Sequence, residues 1–137
     1  MDHPITVVAL GGNAIKSAKQ RGTHAEQLDT VNRTTEHLAT LVEQGYRLVI
    51  SHGNGPQVGN LLIQHDAAKD LVPALPMDVC GAQSQGQIGY MLQQTLRNHL
   101  KSKKMRVPVA TIVTQVQVDP ADVAFKRPTK PVGPFYD

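Results

Sequence analysis

Tryptophan is absent from this 137-residue chain, and aromatic side chains (three Tyr, two Phe) make up only 4% of it. A core built from such a sequence rests on Val, Leu, Ile and Ala, which suits a parallel sheet covered by helices. Cysteine occurs once, at Cys80, so no intrachain disulfide can form and the chain fits a reducing compartment. Beside Val79 and Ala82 that thiol reads as a buried structural group rather than a nucleophile. No apolar run is long enough to cross a bilayer, and Met1-Asp2-His3-Pro4 lacks the basic-then-apolar order of a secretory leader. The expectation is a cytoplasmic protein with no membrane partner. Six histidines (His3, His24, His37, His52, His65, His99) show no metal-ligand spacing with a second His or Cys, so no metal site is expected. The charge imbalance is small, 14 basic against 11 acidic side chains. Lys101, Lys103, Lys104 and Arg106 cluster, but no aromatic residues interleave with them to stack on bases, and no nucleic-acid partner is expected. Three familiar signatures are also missing: the G-x-x-x-x-G-K-[ST] loop, the G-x-G-x-x-G fingerprint and the G-x-S-x-G elbow.

What is present is the length of one ordinary domain, with 40% hydrophobic and 18% charged residues, the balance of a globular chain. The β-branched run Ile5 to Leu10 predicts a buried first strand that stops at Gly11-Gly12. Residues 13–22 are polar and read as a mobile connection. Leu28, Val31, Leu38, Leu41 and Val42 form one apolar stripe, predicting a helix from about Thr23 to Gln44, with Gly45 as a left-handed C-cap. Tyr46 to Ile50 predicts a second strand, and a second helix follows from about Gln57 to Lys69. After a proline-containing loop at 71–76, a third helix is expected from Asp78, its N-cap, to about Lys101. Gly81, Gly86 and Gly89 in that helix suggest close packing against another backbone or a ligand. Val107 to Val118 reads as a third strand, and Asp119-Pro120 as the start of a further helix. From Lys126 onward, three prolines and three cations in twelve residues exclude a regular packed element.

Alternation of strand and helix predicts an α/β fold with parallel strands and right-handed crossovers. Half of such a sheet would leave an unpaired strand edge, and poor solubility of the 137 residues alone is expected. Both glycine turns, Gly11-Gly12-Asn13 and Ser51-His52-Gly53-Asn54-Gly55-Pro56-Gln57-Val58-Gly59, would then lie at the carboxyl ends of strands, where ligands bind. Gly53 and Gly55 permit positive φ and close approach to bare backbone, and Pro56 fits a first helical turn. One such turn is equally an ordinary βα connection; two together favour a concave anion site at a helix N-terminus. Backbone N–H groups of Gly11, Gly12, Gly53 and Asn54 could hold a small anion or a transferring phosphoryl group, and Lys130 could neutralise charge there. By composition alone a solvated loop lysine is the favoured reading of Lys130.

The motifs carry a resemblance. Val7-Val8-Ala9-Leu10-Gly11-Gly12-Asn13-Ala14 and Ser51 to Asn60 resemble the opening motifs of the carbamate kinases, within the amino acid kinase family. So do Gln85-Gly86-Gln87-Ile88-Gly89-Tyr90, Thr114-Gln115-Val116-Gln117-Val118-Asp119-Pro120 and Pro128-Thr129-Lys130-Pro131-Val132-Gly133-Pro134-Phe135. They cover nearly the whole chain in the right order. Asn13, where relatives commonly carry lysine, favours the carbamate kinases over kinases of acyl carboxylates such as acetylglutamate.

The resemblance implies a three-layer α/β/α sandwich with a mostly parallel central sheet, typically a homodimer. It implies reversible transfer between ATP plus carbamate and ADP plus carbamoyl phosphate, with Mg2+ on the nucleotide, commonly in arginine catabolism. Gly11, Gly12, Asn13, Gly53, Asn54 and Gly55 would hold carbamate and the phosphoryl group. Lys130 would reach in as the catalytic cation from a small protruding subdomain. On this expectation 1–125 is the carbamate- and phosphoryl-binding domain and 126–137 the start of the subdomain. The nucleotide-binding C-terminal part would be absent, because family members are about one domain longer. The alternative is a truncated, non-catalytic module that keeps anion binding or dimerisation.

Overall fold

The computed structural model describes residues 4–17 and 19–130. Its elements are β1 (Ile5–Leu10), a 3₁₀ turn (Gly12–Ala14), α1 (His24–Glu43), β2 (Arg47–His52), α2 (Gly55–Ala68), α3 (Met77–Ser102) and a second 3₁₀ turn (Val123–Phe125). The two strands pair in parallel, Ile5 opposite Arg47 through Leu10 opposite His52. The described residues fall into two compact units. One runs to Gly53 and resumes over Gln87–Thr111; the other holds Asn54–Gly86 and the residues from Ile112 onward.

In the first unit α1 begins and ends on local chemistry that the sequence announces. Thr23 and Glu26 form a capping box: the Glu26 N–H donates to Thr23 Oγ1 at 3.3 Å, and the Thr23 N–H donates to Glu26 Oε2 at 2.8 Å. The Gly22 N–H joins the same carboxylate oxygen at 2.8 Å. At the other end Gly45 takes φ +96°, and the Tyr46 N–H reaches back to the Leu41 carbonyl at 3.1 Å. That is a Schellman closure, and glycine accepts its left-handed backbone without a Cβ clash.

The inner face of the strand pair, Val8, Leu10, Leu48 and Ile50, packs against Val31, Leu38 and Ala39 of α1 and Ile88, Met91, Leu92, Leu96 and Leu100 of α3. Both helices therefore cover one face. The outer face stays open, with Ile5 58%, Val7 68% and Val49 52% exposed. The expectation of a buried first strand is thus corrected: β1 is covered on one face only among the described residues. What is present is the N-terminal part of an α/β fold.

Three further expectations change. Residues 107–118 form no strand, because a strand exists only through ladder bonds and no described segment pairs with them. Met105 and Val109 pack on the core, while Val107, Ile112, Val113, Val116 and Val118 are exposed. Asp119 accepts a bond from the Ala121 N–H at 2.9 Å as a cap does, yet only a turn follows, and the 3₁₀ turn ends at Phe125. Pro128 disfavours helical backbone at Arg127, which limits continuation. Finally, α3 starts at Met77, one residue before the predicted cap, and Asp78 sits inside its first turn.

Glycine in α3 has a packing reason at one position. A Cβ on Gly89 would lie 2.2 Å from Thr111 Cγ2, whereas one on Gly81 or Gly86 would meet nothing within 4 Å. The close approach expected of these glycines is real at Gly89, and its partner is the returning chain of the same unit.

Candidate functional site

In the first unit, β1 and β2 end side by side because their pairing is parallel and in register. Leu10 hands the chain to Gly11 and the 3₁₀ turn; His52 hands it to Gly53. The N–H groups that open a helical turn have no acceptor within it, so the Gly12–Ala14 turn presents donors at its head. The turn is anchored rather than mobile, contrary to expectation. Ile15 is plugged into the core at 1% exposure, and Thr34 Oγ1 of α1 donates to the Ala14 carbonyl at 2.9 Å. Gln20 adds bonds to Ser17 and Thr30.

Gly53 departs from the expected role in one respect. Its N–H donates to the Leu10 carbonyl at 3.3 Å, so it extends the ladder instead of facing outward. The expected positive φ is also missing: among the described glycines only Gly22 and Gly45 have it. A Cβ built on Gly11, Gly12, Gly53 or Gly55 would meet nothing within 4 Å. Neither backbone conformation nor packing within the described residues therefore calls for glycine at these four positions. What the four have in common is bare backbone beneath open space, the arrangement that lets a ligand come close to the main chain.

The second unit begins with Asn54, the residue that N-caps α2. Its φ is −145° and ψ 9°, and its side chain caps nothing. Instead Asn54 Nδ2 donates to Ser84 Oγ of α3 at 2.7 Å, and Ser84 Oγ donates to the Gly81 carbonyl at 2.6 Å. Pro56 lies in the first turn of α2, as expected, and the helix starts at Gly55. One residue along α3, Gln85 Oε1 accepts from the Thr114 N–H at 2.8 Å and from its Oγ1 at 3.3 Å, while Gln85 Nε2 donates to the Thr114 carbonyl at 3.4 Å. A carboxamide here pairs with a backbone residue as a neighbouring strand would.

The structure thus brings Gly11, Gly12, Asn13 and Gly53 to one rim of the first unit. Asn54, Gly55 and Lys130 belong to the second unit, and Lys130 is exposed. The rest of the proline-rich motif, 131–135, lies outside the described residues. Sequence reasoning missed Ser84, Ile15 and Thr34, and named Gln85 only within a motif, without its bonds to Thr114. The small-residue context Gly81-Ala82 before Ser84 was a usable signal for a helix approached closely from its side. Among the described residues no group of three or more His, Cys, Asp or Glu is placed to hold a metal ion, and no helix is long and apolar enough to cross a membrane.

Comparison with known proteins places this geometry in context. The family model for the amino acid kinase family matches residues 4–129. The carbamate kinase of Pyrococcus horikoshii is 53% identical over 133 residues, 96% of this chain and 42% of that protein. Carbamate kinase 1 of Enterococcus faecium is 55% identical over 130 residues, 94% of this chain and 41% of the relative. Among solved structures, carbamate kinase from Giardia lamblia bound to AMP-PNP superposes with a TM-score of 0.93 at 43% identity, over 98% of this chain and 43% of that one. The chain spans about four tenths of the length of the relatives it matches.

Proposed function

We propose that this chain, which belongs to the amino acid kinase family, provides the carbamate and phosphoryl side of a carbamate kinase, reversibly transferring a phosphoryl group between ATP and carbamate. The observation that carries the reading is the set of bare glycines, Gly11, Gly12, Gly53 and Gly55, in the turns that follow two parallel strands, with open space over each. Identity of 53–55% to carbamate kinases over nearly the whole chain supports the choice of substrate.

In the forward direction a carbamate oxygen attacks the γ-phosphorus, the bond from phosphorus to the ADP oxygen breaks, and carbamoyl phosphate and ADP form. The reacting groups are all anionic, so the protein's work is positioning and neutralisation. The Gly12–Ala14 turn in the first unit and the head of α2 at Gly55 in the second each present N–H dipoles of the kind that favour an anion. Gly11 and Gly53 let the anions approach the main chain; Asn13 and Asn54 border the two turns. Lys130 contributes the positive charge that offsets charge on the transferring oxygens. ATP or ADP is the co-substrate, and Mg2+ arrives on its phosphates. The nucleotide pocket belongs to the part of the longer relatives that this chain does not span. On the same reading 1–125 forms the binding domain, 126–137 begins a subdomain carrying Lys130, the enzyme is a cytoplasmic homodimer, and its role is in arginine catabolism.

The test is direct. Assembled with the nucleotide-binding part that the longer relatives carry, the chain supplied with carbamoyl phosphate and MgADP is expected to form ATP, and acetyl phosphate in place of carbamoyl phosphate is expected to give at least tenfold less. Equal use of both would remove carbamate as the substrate. A second reading is a module that binds the anion without turnover. Stabilisation against heat by carbamoyl phosphate, with no ATP formed under any condition, would select it.

A further inference from the structure

Asparagine is among the best helix N-caps because its side-chain oxygen accepts from the first-turn N–H groups. Asn54 occupies that position on α2 and does not do it. Its carboxamide is drawn instead to Ser84, thirty residues on, which is completely buried in α3. The protons settle the amide's orientation. A serine hydroxyl has one proton, and Ser84 commits it to the Gly81 carbonyl at 2.6 Å. Towards Asn54 it can then only accept, so Nδ2 must face it and Oδ1 must turn away.

We infer that Ser84 is a positioning residue of the phosphoryl-transfer site: it holds the Asn54 side chain off the head of α2 so that the helix terminus stays open to the substrate anion. The inference rests on the function proposed above. Without the Ser84 hydroxyl, no bond among the described residues holds Nδ2 in place, and the carboxamide is free to turn its oxygen toward the α2 terminus. There it would compete with the substrate's own oxygens for the same donors.

The experiment is a double-mutant cycle in the chain assembled with the nucleotide-binding part that the longer relatives carry. Ser84→Ala is expected to raise KM for carbamoyl phosphate about tenfold, with KM for MgADP changed less than twofold and no fall in Tm. Asn54→Gly removes the competing side chain, and in that background Ser84→Ala is expected to have no further effect. Ser84→Thr keeps the hydroxyl and is expected to restore affinity. An unchanged KM, or an effect equally large when Asn54 is Gly, overturns the inference. So does a loss of Tm without a change in KM, which marks Ser84 as structural only. Should wild type form no ATP, the proposed reaction fails separately. The cycle is then read by NMR, titrating inorganic phosphate against the Gly55 amide signal. Weaker phosphate binding in Ser84→Ala, cancelled by Asn54→Gly, sustains the positioning role, and equal binding in all variants removes it.

Discussion

The N–H of Gly53 donates to the carbonyl of Leu10 at 3.3 Å, one residue beyond the last paired position of β2. The bond carries the parallel ladder past the strand and holds Gly53 alongside the first glycine turn. Gly53 thus joins the scaffold through its backbone, while its missing side chain leaves the rim clear.

These two roles can be separated by mutation. Gly53→Val retains the backbone bond, and the space above the residue is free within 4 Å. Its stability is expected to stay within about 0.5 kcal/mol of wild type, the usual range for exposed substitutions. Affinity for carbamoyl phosphate should fall at least tenfold. Wild-type activity in a soluble Gly53→Val protein would remove the turn from the site.

Lys130 is exposed and makes no ion pair among the described residues. Lys130→Ala should therefore leave Tm unchanged. If the ammonium group offsets charge in the transition state, kcat should fall by about 10²–10³-fold, the scale seen when one electrostatic stabiliser is removed. Unchanged turnover would take Lys130 out of the mechanism.

Gly89 tests packing rather than chemistry. Its α-carbon hydrogen faces Thr111, and Gly89→Ala would place a methyl 2.2 Å from Thr111 Cγ2. The expected loss is about 1–3 kcal/mol, the scale of overpacking, despite alanine's better helix propensity. Thr111→Ala in the same chain should recover most of it, as read by chemical denaturation.

The capping box predicts an acid-side dependence. Hydrogen bonds from the backbone of Thr23, and next of Gly22, hold the Glu26 carboxyl below its ordinary value of 4.5. A depressed carboxylate stabilises the fold above its unfolded pKa, and that contribution disappears as pH falls through the lower, folded value. Glu26→Gln should accordingly be less stable than wild type near neutrality, with the difference narrowing below pH 4.5. A gap that stays constant from pH 7 to about 3 would show that the charge plays no part.

Local signals were readable wherever one short stretch determines the outcome. Thr23 with Glu26, the Val31–Leu38 stripe and Gly45 define α1, and the observed boundaries follow them. Hydrophobic run and glycine stop gave β1 and β2 with their parallel pairing. The third strand was misread because Val107 to Val118 has strand-forming residues but no partner among the described residues, and pairing is not a local property. The glycine turns were located correctly, yet the engagement of Gly53 by Leu10 depends on register, which periodicity does not reveal. The bond from Asn54 to Ser84 was missed for a related reason: the two lie thirty residues apart, on either side of a helix and a loop.

Parallel register puts the ends of β1 and β2 at one rim, while the helices α1 and α3 hold the inner face of the pair. Residues at the rim can therefore change without breaking a rung of the ladder or opening the apolar cluster. In evolutionary terms, the turns after the strands are free to diverge while the layer beneath them stays put. A lineage built on this scaffold can acquire a new acceptor specificity by rewriting a few exposed positions around Gly11 and Gly53, leaving the history of its core intact.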